Sequence, residues 1–420
     1  MNQTSERNWA GNYRYAASVA HPRTIEEVQQ LVAAATRVRA LGSRHSFNAI
    51  ADSPGMLVAL DRVDDAIVIN PTALSVEVSG GTTYGTLAVE LQRQGYALHN
   101  LASLPHISVA GAIATGTHGS GDRNGSLATA VSALEIVTGS GELLRVDRST
   151  PDFAGMVVAL GALGIVTRVT LDIQPTFEVQ QFVYENLPWN AVLQHFDAVM
   201  GSAYSVSLFT NWLGENVDQA WVKSRGGDFT GADEFFGGTA ATAGRHPLPG
   251  ISAVNCTEQL GVAGPWSERL AHFRLAFTPS NGEELQSEYH VPREHAVAAI
   301  EAMRTLSDRI APLLLVSEVR SIAADDLWLS PNFERAGVAL HFTWKPEQAA
   351  VEALLPALEA ALAPFAVRPH WGKLFQTDAA TLGASFPRLD DFRGLADRLD
   401  PAGKFRNDFL ERTVFGRIRV

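Results

Sequence analysis

The sequence predicts an α+β fold in two domains, and three observations carry that prediction. Strand-like and helix-like runs follow one another irregularly through the first 175 residues, without the regular alternation of a parallel α/β sheet. An alternating strand over 165–173 stops at Gln174-Pro175, and from about Phe177 the composition shifts as Trp189, Trp212, Trp221 and Trp266 gather. Residues 284–375 then read strand, helix, strand, strand, helix, strand, the order of a ferredoxin-like split unit.

Each element has a local reason. Thr24 with Glu27 is a capping box, and Ile25, Val28, Leu31 and Val32 share one face of the helix it opens. Strand-like runs follow at 38–41, 57–60, 66–69 and 76–78, and Leu87 and Leu91 mark a helix of about three turns that ends at Gly95. Runs at 133–138 and 142–146 read as a hairpin about Gly139-Ser140-Gly141. The stretch 226–250 is a long loop rich in Gly, Ala and Thr. The strands of the split unit are expected at 286–291, 313–322, 338–344 and 367–375, and its helices start near Pro292 and Pro346. Pro356 threatens the continuity of the second helix. Residues 399–408 form a turn-rich closing segment.

A formal net charge of −12 argues against a nucleic acid or an anionic membrane surface as partner, since either favours a basic face. The single cysteine, Cys256, excludes an intramolecular disulfide and fits a reducing compartment. The polar start, MNQTSERNWAGN, lacks the apolar centre of a signal peptide, and the most apolar run, 155–166, is too short to span a bilayer. The expectation is a soluble cytoplasmic protein.

Two loops stand out chemically. Leu41, Gly42, Ser43, Arg44, His45, Ser46, Phe47 and Asn48 follow a short strand and set a histidine among turn-forming residues. Residues 103–121 form a second loop of small residues, with His106, His118 and glycines at 111, 116, 119 and 121. Small residues let a backbone approach a ligand closely, and successive N–H groups in such a turn make an anion nest. Together the loops suggest a cradle for a large phosphate-bearing cofactor. His45 is then either a nucleophile or covalent anchor, or simply a histidine that caps a turn. No Lys-Ser/Thr follows the glycines and no Gly-x-Gly-x-x-Gly follows the first strand, which excludes an ordinary P-loop or dinucleotide fingerprint.

In the C-terminal half, strand periodicity sets His341 and Thr343 on one face and Val338, Leu340, Phe342 and Trp344 on the other. Glu318 and Arg320 also share a face, adjacent antiparallel strands bring the two polar pairs together, and Lys373 adds a cation from a neighbouring strand. The plain alternative is a solvated ladder of ion pairs worth little energy. A histidine and threonine embedded among Leu, Phe and Trp favour a recessed site instead. His290 and His295 lack a zincin glutamate, so no metal site is expected, and Cys256 reads as a small buried hydrophobe.

With those residues in view, the chain resembles the vanillyl-alcohol-oxidase-type flavoproteins, and within them the alditol (xylitol) oxidases. The resemblance runs through NWAGN (8–12), GSRHSFN (42–48), ASLPHISVAGAIATGTHGSG (102–121), GALGIVT (161–167), VNCTEQ (254–259), ELQSEY (284–289), SEVR (317–320), HFTW (341–344), RPHWGK (368–373) and DPAGKF (400–405). It implies an FAD-binding domain over 1–175, joined by 388–420, and a substrate-binding cap over 176–387. It also implies FAD attached covalently through His45, with Leu41 to Phe47, Ser103, Ser108, Gly111, Thr115, Gly116, Thr117, His118 and Ile165 around it. Ser103, Glu318, Arg320, Thr343 and Lys373 would contact a polyol, and His341, Lys373 and Arg320 would carry the chemistry. The implied reaction oxidises the terminal alcohol of an acyclic polyol such as xylitol or sorbitol to the aldose, with hydride passing to the flavin and O2 reduced to hydrogen peroxide, in a monomer. Arg44 stands where some relatives have glycine. An aldonolactone oxidoreductase of the same fold and a non-catalytic sugar-binding protein are the competing readings.

Overall fold

The computed structural model describes residues 6–64, 66–277 and 283–416. The ends of the two outer expected ranges, 1–5 and 417–420, lie outside them. The N-terminal part opens with a small parallel sheet of Ser18–Ala20, Val38–Ala40 and Met56–Val58, the last in the middle. Helix Ile25–Ala34 makes the crossover. Thr24 Oγ1 accepts from Glu27 N at 3.2 Å, and the Glu27 carboxylate accepts from Arg23 N at 2.7 Å, one residue before the expected capping-box partner. Val28 and Val32 pack with Val38, Val58, Val137, Ile165 and Phe405.

A five-stranded antiparallel sheet follows, ordered Val68–Asn70, Ser75–Ser79, Ile165–Asp172, Val131–Val137, Leu143–Asp147. The last two form the expected hairpin. Helix Tyr84–Arg93 buries Leu87 and Leu91 as their spacing predicts.

The remaining large sheet has ten strands among the described residues. Leu285–Pro292, Leu314–Ile322, Gly337–Trp344 and Arg368–Pro369 are the four strands of the split unit, and they lie in the order second, third, first, fourth. That is the ferredoxin-like order. Helices Ala296–Arg304 and Gln348–Leu362 cover one face, burying Ala299, Ile300, Met303, Leu354, Leu355 and Leu358 against Val319, Leu340 and Phe342. Gln348–Leu362 runs through Pro356, because its apolar face outweighs the one backbone bond lost there. Ser205–Thr210, Asn216–Arg225 and Glu178–Pro188 extend the sheet beyond the second strand.

One expected element is corrected. The strand over 367–375 shrinks to Arg368–Pro369, and Lys373 lies in a turn. The carbonyls that would continue the ladder are taken elsewhere. Gly372 O accepts from Phe47 N at 2.8 Å, and Asn48 Nδ2 donates to Trp371 O at 2.9 Å and to Lys373 O at 2.7 Å. Lys373 is thereby held by the turn that carries His45.

A second stitch joins the glycine loop to the large sheet. Gly121 N donates to Ser321 O at 2.9 Å, and Asn124 Nδ2 donates to Tyr204 O at 3.1 Å. Gly121 has φ +129°, and a Cβ there would meet Asn124 Nδ2 and Tyr204 O, each at 2.4 Å. Gly121→Ala is therefore expected to cost about 1–3 kcal/mol or more in a denaturant titration; an unchanged midpoint would show that the loop relaxes freely.

Candidate functional site

The first loop is a tight turn locked to the second. Ser108 N donates to Ser43 Oγ at 3.0 Å, and Ser43 N points back to Ser108 Oγ at 3.4 Å. A Cβ on Gly42 would stand 2.6 Å from Ser108 Oγ and would have to push that hydroxyl out of its place beside Ser43. Arg44 has φ +65°, a conformation that glycine adopts more easily, and its guanidinium is anchored by an ion pair with Glu6. A left-handed backbone geometry that favours glycine is thus held here with an arginine. The His45 ring stacks on Trp9 at 5.2 Å and 21°. Its Nδ1 is buried without a hydrogen-bond partner, and burial pulls the imidazole down to about 4.

A single cleft, holding about 2110 Å³ of empty space when the part open to solvent is counted, runs from this turn to the large sheet. Leu41 to Phe47, Ser103, Ser108, Gly111, Thr115, Thr117 and His118 line it, and so do Glu318, Arg320, His341, Thr343 and Lys373. Two expected residues do not. Gly116 takes φ +69° to turn the loop, and Ile165 packs in the core, while its neighbours Gly164 and Val166 face the cleft. An odd residue on a strand cannot share the face of its even neighbour, which is why Ile165 points away.

The polar end follows from strand register. Glu318 pairs with His341, and His341 with Glu288, so three ionisable side chains stand in a row across three strands on the face opposite the helices. Glu288 was not singled out from the sequence. The alternation of Gln286, Glu288 and His290 against Leu285, Tyr289 and Val291 was the signal that could have found it.

Glu288 is the hub of the site and only 1% exposed. Oε1 accepts from Arg320 Nη2 at 2.8 Å and lies 2.8 Å from His118 Nε2. Oε2 pairs with Lys373 Nζ and lies 3.2 Å from His341 Nδ1. Burial alone would raise its carboxyl, but Lys373, Arg320 and His118 hold it well below the usual range. Lys373 Nζ also lies 2.7 Å from His341 Nδ1. An ammonium has only hydrogens to offer, so Nδ1 accepts and Nε2–H donates to Thr343 Oγ1 at 3.0 Å. Burial, helped by the Lys373 charge, pulls His341 down to about 4 and keeps it neutral near pH 7. Glu318 Oε1 accepts from His272 Nε2 at 2.8 Å, and its other oxygen lies 3.6 Å from Arg320 Nε.

His118, Glu288 and His290 bring ligand atoms within 4.8 Å of one another. Both Glu288 oxygens are engaged by cations, however, which makes this group an ion-pair hub rather than a cation cage. Cys256 is buried, and burial lifts its thiol to about 12, as the sequence reading of an inert residue requires.

A glycine-edged cradle, an orphaned buried histidine nitrogen and a recessed polar face in one cleft define a two-domain enzyme that holds a large cofactor against a small substrate. A model described as FAD binding domain matches residues 16–147, and one described as D-arabinono-1,4-lactone oxidase matches residues 278–413. An alditol oxidase from a Streptomyces species is 48% identical over 98% of this chain and 100% of its own length. The L-gulono-1,4-lactone dehydrogenase of Mycobacterium tuberculosis is 30% identical over 97% and 98% of the two chains. The crystal structure of cholesterol oxidase from B. sterolicum superposes with a TM-score of 0.80 over 98% of this chain and 96% of that one; at 15% identity it carries the fold alone. The chain belongs to the alditol oxidases, FAD-dependent oxidoreductases of the vanillyl-alcohol-oxidase type. Among the described residues no helix is long and apolar enough to cross a membrane.

Burial holds His272, His290, His341 and His370 below the ordinary imidazole value. An unfolded chain takes up protons from about pH 6.5 downward, where these folded imidazoles stay neutral. Stability is therefore lost as pH falls from about 6.5 towards 4, with a further loss below about 4.5 as Glu288 and Glu318 resist protonation. Melting temperatures should drop steadily from pH 7 to pH 4.5; a flat profile would contradict this account.

Proposed function

We propose that this cleft oxidises the terminal primary alcohol of acyclic polyols such as xylitol and sorbitol to the aldose, with O2 as the final acceptor. One observation supports it above the others: His45 and the row Glu318, His341, Glu288, with Arg320 and Lys373, line one continuous cleft. Bound FAD supplies the hydride acceptor. We also propose that it is joined covalently to His45, whose Nδ1 is buried and unbonded, and that residues 1–175 with 388–420 hold it while 176–387 cap the site, in a cytoplasmic monomer.

The protein residues have distinct tasks in this proposal. Glu318 and Thr343 accept or donate hydrogen bonds to hydroxyls along the open chain and orient it, and Ser103 does so from the opposite wall. Lys373 and Arg320 set positive charge where the alcohol oxygen turns anionic. As Lys373 turns to that oxygen it frees His341 Nδ1, whose lone pair takes the hydroxyl proton. The imidazolium then donates to Glu288 Oε2, already 3.2 Å away. Burial keeps His341 neutral beforehand, which is what a proton acceptor needs.

The match over 278–413 to a lactone oxidase favours a second reading, a ring lactone as substrate. Peroxide release separates the two: xylitol and sorbitol should produce it with O2, and turnover confined to aldonolactones would favour the second. Colour that stays with the chain after acid precipitation, and leaves it in His45→Ala, tests the covalent link. Lys373→Ala should slow bleaching of the flavin by xylitol about 10²-fold or more while flavin content holds; an unchanged rate removes Lys373 from the chemistry.

A further inference from the structure

Behind the cleft lies a buried lysine that the proposed reaction does not use; burial pulls its ammonium down to about 7, against the opposing pull of Glu318. Lys223, on Asn216–Arg225, is 1% exposed and does not line the cleft. Register puts it on the same sheet face as the site: Phe209 pairs with both Glu318 and Gln219, Ser207 with Arg320 and Trp221, and Ser205 with Lys223. Its Nζ has three acceptors, Leu270 O at 2.5 Å, Ala271 O at 3.2 Å and His272 Nδ1 at 3.2 Å. Three acceptors match the three hydrogens of an ammonium. The His272 ring is held edge-on by Trp221 at 5.2 Å and Phe209 at 5.6 Å, and its Nε2 reaches Glu318 Oε1 at 2.8 Å. His272 N also donates to Ser103 O at 3.2 Å, which ties the opposite wall to the same segment.

In the ammonium form that its three acceptors favour, Lys223 does what an apolar side chain of similar length cannot. It obliges His272 Nδ1 to accept, so the ring proton sits on Nε2 and is donated to Glu318. Glu318 is then a fixed carboxylate in the cleft lining, with one oxygen bound from behind and the other 3.6 Å from Arg320 Nε. Without Lys223 the ring proton is free to move to Nδ1, and Nε2 would turn a lone pair on the carboxylate at hydrogen-bond distance. Glu318 would then swing away or take up a proton and become a donor.

We propose that Lys223 and His272 are positioning residues that hold Glu318 as an acceptor-only reader of substrate hydroxyls, and so set the preference of the cleft for open-chain polyols over molecules that present a carbonyl or carboxylate at that point. The proposal rests on the polyol reading of the cleft. It makes Glu318 specificity depend on a side chain that never touches the substrate.

Steady-state kinetics on holoenzyme variants test it. Lys223→Met and His272→Leu should each raise KM for xylitol about tenfold or more, the loss expected of one charge-assisted hydrogen bond, with kcat changed less than about twofold. His272→Gln, which keeps a donor near the Nε2 position, should restore most of the loss. Nitrogen-15 NMR of histidine-labelled holoenzyme, with His272→Gln to assign the signal, should show the His272 proton on Nε2, and Lys223→Met should lose that signature. A proton on Nδ1 in the parent protein overturns the proposal, and decides it even if the variants fail to fold. An unchanged KM in Lys223→Met, or equal losses in kcat and kcat/KM, also overturns it. Glu318→Gln separates this from the reading beneath it: unchanged xylitol kinetics there removes Glu318 from the polyol site, whereas a raised KM there beside an unaffected Lys223→Met removes only the relay.

Discussion

Glu288 carries a full negative charge in the interior, and the rest of the site is arranged around neutralising it. Arg320 and Lys373 come from two other segments of the large sheet region, and His118 comes from the glycine loop of the N-terminal part. Burying a carboxylate without such partners is prohibitive, and removing one partner from a buried pair typically costs about 3–5 kcal/mol. The charge therefore acts as a constraint on assembly. The strands, the loop and the 370–373 turn must all arrive in register before the carboxylate is satisfied. The same constraint delivers chemistry, because the cations that neutralise Glu288 are left facing the cleft, beside an imidazole kept neutral by burial.

The two ends of the cleft are also mechanically one object. The turn that carries His45 gives its Phe47 N–H and its Asn48 amide to the carbonyls of Trp371, Gly372 and Lys373. His45 and Lys373 are thus spaced by hydrogen bonds to backbone carbonyls between the two turns that carry them. Gly121, bonded to Ser321, repeats the arrangement at the other loop. Misplacing a reacting group by about 1 Å can cost orders of magnitude in rate, and these two stitches fix the spacing of segments that line the cleft.

Much of this was legible in the sequence, and the failures have physical causes. Alternation placed His341 and Thr343 opposite Leu340 and Phe342 correctly, and the register of adjacent strands did bring Glu318 beside them. The helix caps and the hairpin about 139–141 were local and therefore readable. The strand at 367–375 was misjudged because its backbone partners lie more than 300 residues away, in Phe47 and Asn48, and no local pattern encodes that competition. Glu288 escapes this reading although the same two-residue period marks it, since a lone acidic residue in a strand reads as solvated until its four partners are known. Lys223 and His272 were invisible for a similar reason: they meet through a loop crossing the sheet, not through spacing.

The bond between Phe47 and Gly372 also has a bearing on how the molecule is made. During synthesis the segment with His45 emerges first, while the carbonyls that complete its turn arrive only after some three hundred further residues. Until then the early loop lacks the acceptors that Trp371, Gly372 and Lys373 supply to it. A late stretch of the polypeptide thus completes a turn begun near its start.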